Sequence, residues 1–348
     1  MTSQKQNAGG GTAIQAGRDV TIQSGVSPAD MIRFMEMVTA LHTFALDAER
    51  KANERYESFR NEILKKFSSE NGEADSSAFR DPDFQMMLGD AQTEYVRSGD
   101  ESLRDTLIDI IARRSLEKER SRRSLTLNEA VKKAPSLTRN EIAGLSFVYL
   151  FRYVTFPAGN LAHLIGTFEK NFLPLKPDIT TSDSSFDYIA AQGCGSVEMG
   201  ELPAHHILSE SYGGLLGMGF TEDALTARFP EGRIAAFDEL RIICVNDQSK
   251  IQFNARNLKA FENAVMKIDP TIEKGKINSA WALMTESIQI FDMMKRIAHQ
   301  SPEVGELFEM WDKSNFKHMR LNAVGIAIAH ANARRVANFD APLDIWIS

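Results

Sequence analysis

Apolar and polar positions follow a helical repeat through most of this chain. The clearest case is residues 28–67. There Met31, Phe34, Val38, Leu41, Ala45, Ala48, Ala52, Tyr56, Phe59, Ile63 and Phe67 recur at steps of three or four, the repeat of a single helix face. In the first half the steps alternate three and four, as in a coiled-coil seam; extra fours in the second half relax such a supercoil. Ser27 suits the N-cap and Pro28 the first helical position, while Ser68, Ser69, Asn71 and Gly72 end the run. About forty residues at roughly 1.5 Å each span about 60 Å. That is long for a globular domain, so part of the seam is expected to face another helix of the chain or a second subunit.

Ahead of this helix the period changes to two. Ala13, Gln15, Gly17, Asp19, Thr21 and Gln23 alternate with Ile14, Ala16, Val20 and Ile22, with Arg18 the exception, which predicts a strand. A lone strand leaves its backbone donors and acceptors unpaired. It needs a strand elsewhere in the chain or the same arm from other copies. Placed just before a long helix, it is expected to self-associate, with Ile14, Val20, Ile22, Phe34, Val38 and Leu41 carrying the contact. Gly9–Gly11 invite a phosphate-loop reading, but the chain contains no GxxxxGK[ST].

After a polar linker at 68–78, helical patterns open at Asp81-Pro82 and again near Leu103, with a break at Ser98-Gly99-Asp100. A short helix from Leu125 ends at Pro135, and Thr138 with Glu141 forms a capping box for the next. Leu145–Ile165 is the longest apolar stretch. Arg152, Pro157, Asn160 and His163 interrupt it, so two buried helices joined near Phe156-Pro157 are expected rather than a membrane span; a membrane-perturbing effector segment is the other reading. From residue 178 the pattern mixes. A helix from Pro203 is expected to stop at Gly213-Gly214. Residues 240–255 read as a β-hairpin around Asn246–Ser249. Asn257 caps a helix, 277–299 reads as one long amphipathic helix, and Ser301 caps another. The chain closes with a helix over 321–336 and a strand over 343–347, half of a winged helix. These elements give a mainly α fold with a smaller α+β part: a Gly-rich β arm at 1–26 for oligomerisation, a helical domain at 27–177, and an α+β domain at 178–348 with a small antiparallel sheet and a winged-helix-like C-terminus.

Charge narrows the function. The chain carries 47 acidic and 40 basic residues, a formal net charge of −7, which argues against a dedicated non-specific nucleic-acid binder but leaves room for a basic patch. Arg113, Arg114, Arg120, Arg122 and Arg123 cluster at the end of a helix, and Arg334 and Arg335 lie on the final one. A solvated charged face is the ordinary meaning of such a run; an anion or nucleic-acid surface is the alternative, with 321–336 as a recognition helix. Cys194 and Cys244 have neither metal nor disulfide spacing, and the polar N-terminus lacks a signal core, which together point to the cytoplasm. His206 and Glu210 stand one turn apart, without an HExxH or a CxxC to make a metal site. Cys194 has no orienting partner in the sequence for nucleophilic work. No metal or cofactor is expected, and no catalytic residue is legible.

Two resemblances add to this. AGRDVTI resembles one rung of the haemagglutinin-type repeats that stack into parallel β-helices. The AIQAGRDVTIQ arm, the long helix, the tail LNAVGIAIAHANARRV and the closing LDIWI together resemble a family of uncharacterised bacterial proteins; the tail, through Leu321 and Gly325, is also similar to a helix of Abi-alpha-type abortive-infection proteins. The resemblance implies a prokaryotic cytoplasmic protein of phage defence or stress response. With the arm and the helix over 28–67, the expected function is a non-enzymatic, self-associating sensor or scaffold. Its expected partners are further copies of itself and a second defence protein or a phage component, with nucleic acid as the alternative and a membrane disfavoured.

Overall fold

A computed structural model describes residues 27–69, 72–286, 290–337 and 339–347. The arm, with Ile14, Val20 and Ile22, lies outside the described residues. The described chain is mainly helical, 71% of it, with two small antiparallel two-stranded sheets. Two compact units emerge, Met1–Glu54 and Arg55–Ser348.

The first helix, α1 (Pro28–Ser68), has the expected bounds. Ser27 Oγ accepts from the Asp30 N–H at 3.1 Å and donates to Asp30 Oδ2 at 2.7 Å, satisfying one of the free donors of the first turn. Residues 29–51, which lie in the smaller unit, are exposed on all sides of the helix.

In the larger unit, the remainder of α1 contributes Phe59 and Ile63 to the main core. α2 (Pro82–Ser98) ends at Gly99, whose φ of 67° is the left-handed cap conformation. Arg55 Nη1 donates to the Val96 carbonyl there at 2.7 Å, a cation where the helix dipole favours one. α3 (Glu101–Ser115) and α4 (Arg122–Lys133) follow, then α5 (Arg139–Val148) behind the Thr138–Glu141 capping box. A π turn, Tyr149–Tyr153, and an irregular passage through Pro157 lead into α6 (Leu161–Phe172). The long apolar stretch is therefore split at its interruptions into two segments, of which α5 with its π turn is largely buried and α6 buries one face, through Leu164, Ile165, Phe168 and Phe172.

The ambiguous 186–199 region holds α7 (Asp183–Ala191) and β1 (Gly195–Val197). α8 (Ala204–Leu216) is interrupted by a kink at Tyr212, where φ is −132° and ψ 22°, so regular helix from Ala204 ends beside Gly213-Gly214, where the glycines were expected to end it. Gly214 also permits close approach, since a Cβ there would sit 1.7 Å from the Ala255 carbonyl oxygen. α9 (Glu222–Arg228), α10 (Ala235–Glu239), the hairpin β2 (Arg241–Ile243) with β3 (Ile251–Phe253), α11 (Leu258–Ile268) and α12 (Lys274–Glu286) surround a second core. At its centre Phe253 stacks on Phe261 at 4.3 Å.

Of the helix expected over 277–299, α12 and α13 (Ile290–Gln300) are described as helical, and residues 287–289 between them lie outside the described residues. α14 (Pro302–Asp312) begins after Ser301, but the expected cap is not made: Ser301 Oγ is buried and has no partner. β4 (Met319–Leu321) pairs antiparallel with β1, and α15 (Ala323–Ala337) follows. The closing strand is not formed; residues 343–345 make a 3-10 turn. With β4 paired to β1 and no strand after α15, the winged-helix reading of the C-terminus loses its wing.

Helix α15 is the hub of the larger unit. It packs against α3, α4, α5 and α6, and Ile326 to Ala333 are all buried. Alternating alanines at 327, 329, 331 and 333 leave room for neighbours on every side, and a helix apolar all round is a buried helix. The main core draws on residues from Phe59 to Ile347, so the domain boundary expected near 177 does not separate two cores.

Candidate functional site

Two features of the described residues are not explained by folding alone. The first lies on α1. Nine large apolar side chains between Met31 and Leu46 are 46–66% exposed. Phe34, Val38 and Leu41, the positions singled out by the heptad, are among them. With Met31, Val38 and Ala45 at the a positions, Phe34, Leu41 and Ala48 fall at d, Met35 and His42 at e, and Met37 and Phe44 at g. The apolar arc is thus broader than the narrow seam of a two-stranded coil.

The second feature is a groove lined by charged side chains of both signs, three arginines among five carboxylates, Glu73, Asp109, Glu117, Asp340 and Asp344. Of the seven arginines marked in the sequence, three arrive at one place from different elements: Arg113 from α3, Arg123 from α4 and Arg334 from α15. Two cavities of ≈ 280 Å³ and ≈ 200 Å³ meet at Arg113, Leu116 and Pro342. Sequence spacing could not bring 113 and 334 together; the buried path of α15 across α3 does. The same path carries Glu73, Asp109 and Glu117 into the groove, none of which carried a motif.

The partners of each cation differ. Arg334 is saturated, with Glu73 at 2.9 Å, Asp340 at 2.7 Å and Asp109 at 3.4 Å. Arg123 Nε donates to Glu117 Oε1 at 2.6 Å. Lys66 stands behind them, 3.6 Å from Asp109 and bonded to Glu73. Arg113 makes one weak bond, Nε to Asp109 Oδ2 at 3.3 Å. Among the described residues its two terminal nitrogens have no hydrogen-bond partner. Burial, and then the charge of Arg334, push the Arg113 pKa down, against the pull of Asp109. Glu73 is held below the usual carboxylate range, chiefly by its hydrogen bond from Lys66.

Below the groove His330 is fully buried, its Nε2 2.8 Å from the Ala341 carbonyl. A carbonyl only accepts, so Nε2 carries the proton and Nδ1 does not; Nδ1 has no partner, and neither does the Tyr149 hydroxyl beside it.

The other marked residues lie elsewhere. Arg114 is buried and structural: Nη2 donates to Asp83 Oδ2 at 2.7 Å and Nε to Asn128 Oδ1 at 2.9 Å, tying α3 to α2 and α4. Arg335 donates to Ser102 Oγ and Asn332 Oδ1. Arg120 and Arg122 are exposed, with no partner among the described residues. α15 turns no free face outward over 326–333, so the recognition-helix reading fails on burial. Cys194 is buried, and burial pushes its thiol up to about 11, the wrong direction for a nucleophile. His206 and Glu210 do meet, at 3.1 Å, on an exposed turn of α8; among the described residues no group of three metal-ligating side chains forms. No helix of the described residues is long and apolar enough to cross a membrane.

Fold and site together define a mainly α protein with an open apolar helix and a groove lined by arginines and carboxylates. The chain matches the model of an uncharacterised protein family over residues 27–347 and belongs to that family. No curated protein and no solved structure matches it.

Proposed function

We propose that this protein is a non-enzymatic, self-associating scaffold or sensor, assembled through the exposed apolar arc of α1. The carrying observation is the nine half-exposed apolar side chains between Met31 and Leu46. A contiguous apolar surface of that kind marks an interaction site. Two occupants compete for it, a membrane surface and further copies of the chain, and charge supports the second. Residues 28–48 hold Asp30, Glu36 and Asp47 against Arg33 alone, three minus one, a net −2. Interfacial helices of membrane proteins carry the opposite balance, with Lys and Arg on the polar face. Copies of the same helix suit the surface better, and apolar e and g positions favour more than two of them.

The cellular role we assign, phage defence or stress response in a bacterial cytoplasm, rests on the resemblance of the arm and of the tail LNAVGIAIAHANARRV, including its Abi-alpha-like Leu321 and Gly325. The nucleic-acid alternative keeps Arg120 and Arg122 as its available contacts, few for a binder whose affinity comes from phosphates.

Light scattering on the full chain tests the assembly. A mass several times 38.9 kDa is expected at micromolar concentration. The triple change Phe34→Ser, Val38→Ser, Leu41→Ser is expected to return it to one copy, and deletion of 1–26 to lower the order. A wild-type mass of one chain at tens of micromolar would overturn the reading. Phage plating on bacteria expressing wild type or the triple variant then tests the role: protection that needs assembly is lost in the variant.

A further inference from the structure

The hairpin of β2 and β3 has one covered edge and one open edge. On the β3 side Phe220 covers it: the Phe220 N–H donates to the Ile251 carbonyl at 2.9 Å, and the Ile251 N–H donates back at 3.0 Å. Ile251 stands opposite Ile243. Its bonds leave away from β2, so those of Ile243 leave the other way, as in every second pair of an antiparallel ladder. The bonds from Asn254 N–H to the Leu240 carbonyl and from Cys244 N–H to the Lys250 carbonyl fix the same alternation at the two ends. The backbone groups of Arg241 and Ile243 therefore point out of the sheet, and among the described residues nothing bonds them.

Exposed edges are usually blunted by a charge, a proline or a covering segment. Here the one charge on β2 is turned away. Arg241 Nη1 is held on Glu222 at 2.5 and 2.6 Å, and Nη2 lies 3.2 Å from Asp238 Oδ1. What the edge presents is Ile243, 67% exposed, with Val245 beyond it at 55%. Paired residues point to the same face of a sheet, so Ile243 shares its face with Ile251 and Phe253. Phe253 is fully buried in the second core. The apolar layer of that core thus runs out to an uncovered edge.

Residues 1–26, ahead of Ser27, hold a strand pattern that needs a partner. Within it Asp19-Val20-Thr21-Ile22-Gln23 alternates polar and apolar, and Val, Thr and Ile suit a pleated surface. Laid along β2, this segment would give backbone partners to Arg241 and Ile243. It would set Val20 and Ile22 on the face of Ile243 and leave Asp19, Thr21 and Gln23 to solvent. In strand addition of this kind the main chain supplies affinity and the alternate side chains fix the register. We infer that residues 19–23 of one copy add as a third strand to the β2 edge of a second copy. The inference rests on assembly through α1, which brings the copies within reach.

Hydrogen exchange of the full chain, resolved to single amides by fragmentation in the mass spectrometer and run alongside light scattering, tests it. In the assembled wild type the Arg241 and Ile243 amides are expected to exchange at least tenfold more slowly than in full-length Val20→Asp, Ile22→Asp. Dilution to single chains is expected to remove the difference. Ile243→Lys, at an exposed position, is expected to fold as the wild type does and to speed exchange at 19–23 at least tenfold. Met199→Lys, exposed and off the hairpin, is expected to change neither. The inference is overturned if the two amides stay protected in the arm variant, since another occupant then covers the edge. It is overturned if protection survives dilution to single chains, since no second copy then supplies it. It is also overturned if an assembled wild type exchanges at Arg241 and Ile243 as fast as the arm variant. That last outcome leaves assembly through α1 standing, whereas a wild-type mass of one chain removes both.

Discussion

One helix contains two opposite outcomes of the same pattern. Phe34 and Val38 are 57% and 46% exposed; Phe59 and Ile63, on the same repeat of α1, are 1% and 5% exposed. Residue type and spacing do not separate them. What separates them is supply: around Phe59 and Ile63 the chain provides Tyr95, stacked on Phe59 at 6.0 Å, and the aromatic group of Phe67, Phe79 and Phe84. For Phe34 the described residues of its own unit supply no such group. An amphipathic pattern therefore states that a partner is required and is silent on whether the partner is the same molecule.

The sharpest way to break this comparison is to truncate both phenylalanines. Phe59→Ala is expected to cost about 3–5 kcal/mol, the usual range for emptying a buried aromatic site. Phe34→Ala is expected to change the stability of the larger unit by no more than about 0.5 kcal/mol, while weakening assembly. Trp281, Trp311 and Trp346 all lie in the larger unit, so tryptophan fluorescence during denaturation reports that unit alone. Equal losses from the two changes would mean that Phe34 is buried after all, and the comparison would collapse.

Much of this was legible beforehand because it is local. The bounds of α1, the break at Gly99, the Thr138–Glu141 capping box and the 240–255 hairpin are written in caps, turns and periods within a few residues of each element. What escaped is what distant chain decides. Gly213-Gly214 reads as a stop, and the helix does break at Tyr212, but the passage of Ala255 against Gly214 has no local sign. The closing LDIWI has strand propensity but no strand beside it to pair with, so it coils. The groove shows both sides: Arg113, Arg123 and Arg334 were visible as candidates, yet their convergence depends on where α15 crosses α3, and Glu73, Asp109 and Glu117 left no local signal. Arg114 shows the limit of reading a charge run, since it sits beside Arg113 and is fully spent on Asp83 and Asn128.

A second contrast uses glycine to sharpen the difference between supplied and unsupplied surface. A Cβ on Gly325 of α15 would stand 1.9 Å from the Cys194 carbonyl oxygen, whereas one on Gly89 of α2 would meet nothing within 4 Å. Gly325→Ala must push the start of α15 off the Cys194 turn and is expected to cost about 1–3 kcal/mol, as overpacking does. Gly89→Ala is expected to stabilise by about 0.5–1 kcal/mol through helix propensity alone. Denaturant midpoints measure both, and a loss at Gly89 would show that the surface of α2 is more tightly covered than the structure has it.

The smallest effect concerns protons at the hub. His330 is fully buried with only the Ala341 carbonyl as partner, and burial, followed by the charge of Arg113, holds its pKa down to about 3. In the unfolded chain a histidine titrates near 6.5. Between those values the unfolded state takes up a proton that the folded state refuses, so stability from this residue is whole above about pH 6.5 and is lost progressively as pH falls toward 3. From pH 7 to pH 5.5 the loss is about 1 kcal/mol, at roughly 1.4 kcal/mol per pH unit once well below 6.5. His330→Gln keeps an N–H for Ala341 and removes the titration, so its denaturant midpoint is expected to lack this share of the decline over the same interval. If the variant instead follows wild type down in full, the proton is being taken up elsewhere, and α15 is not the dry, closed centre that its neighbours make it.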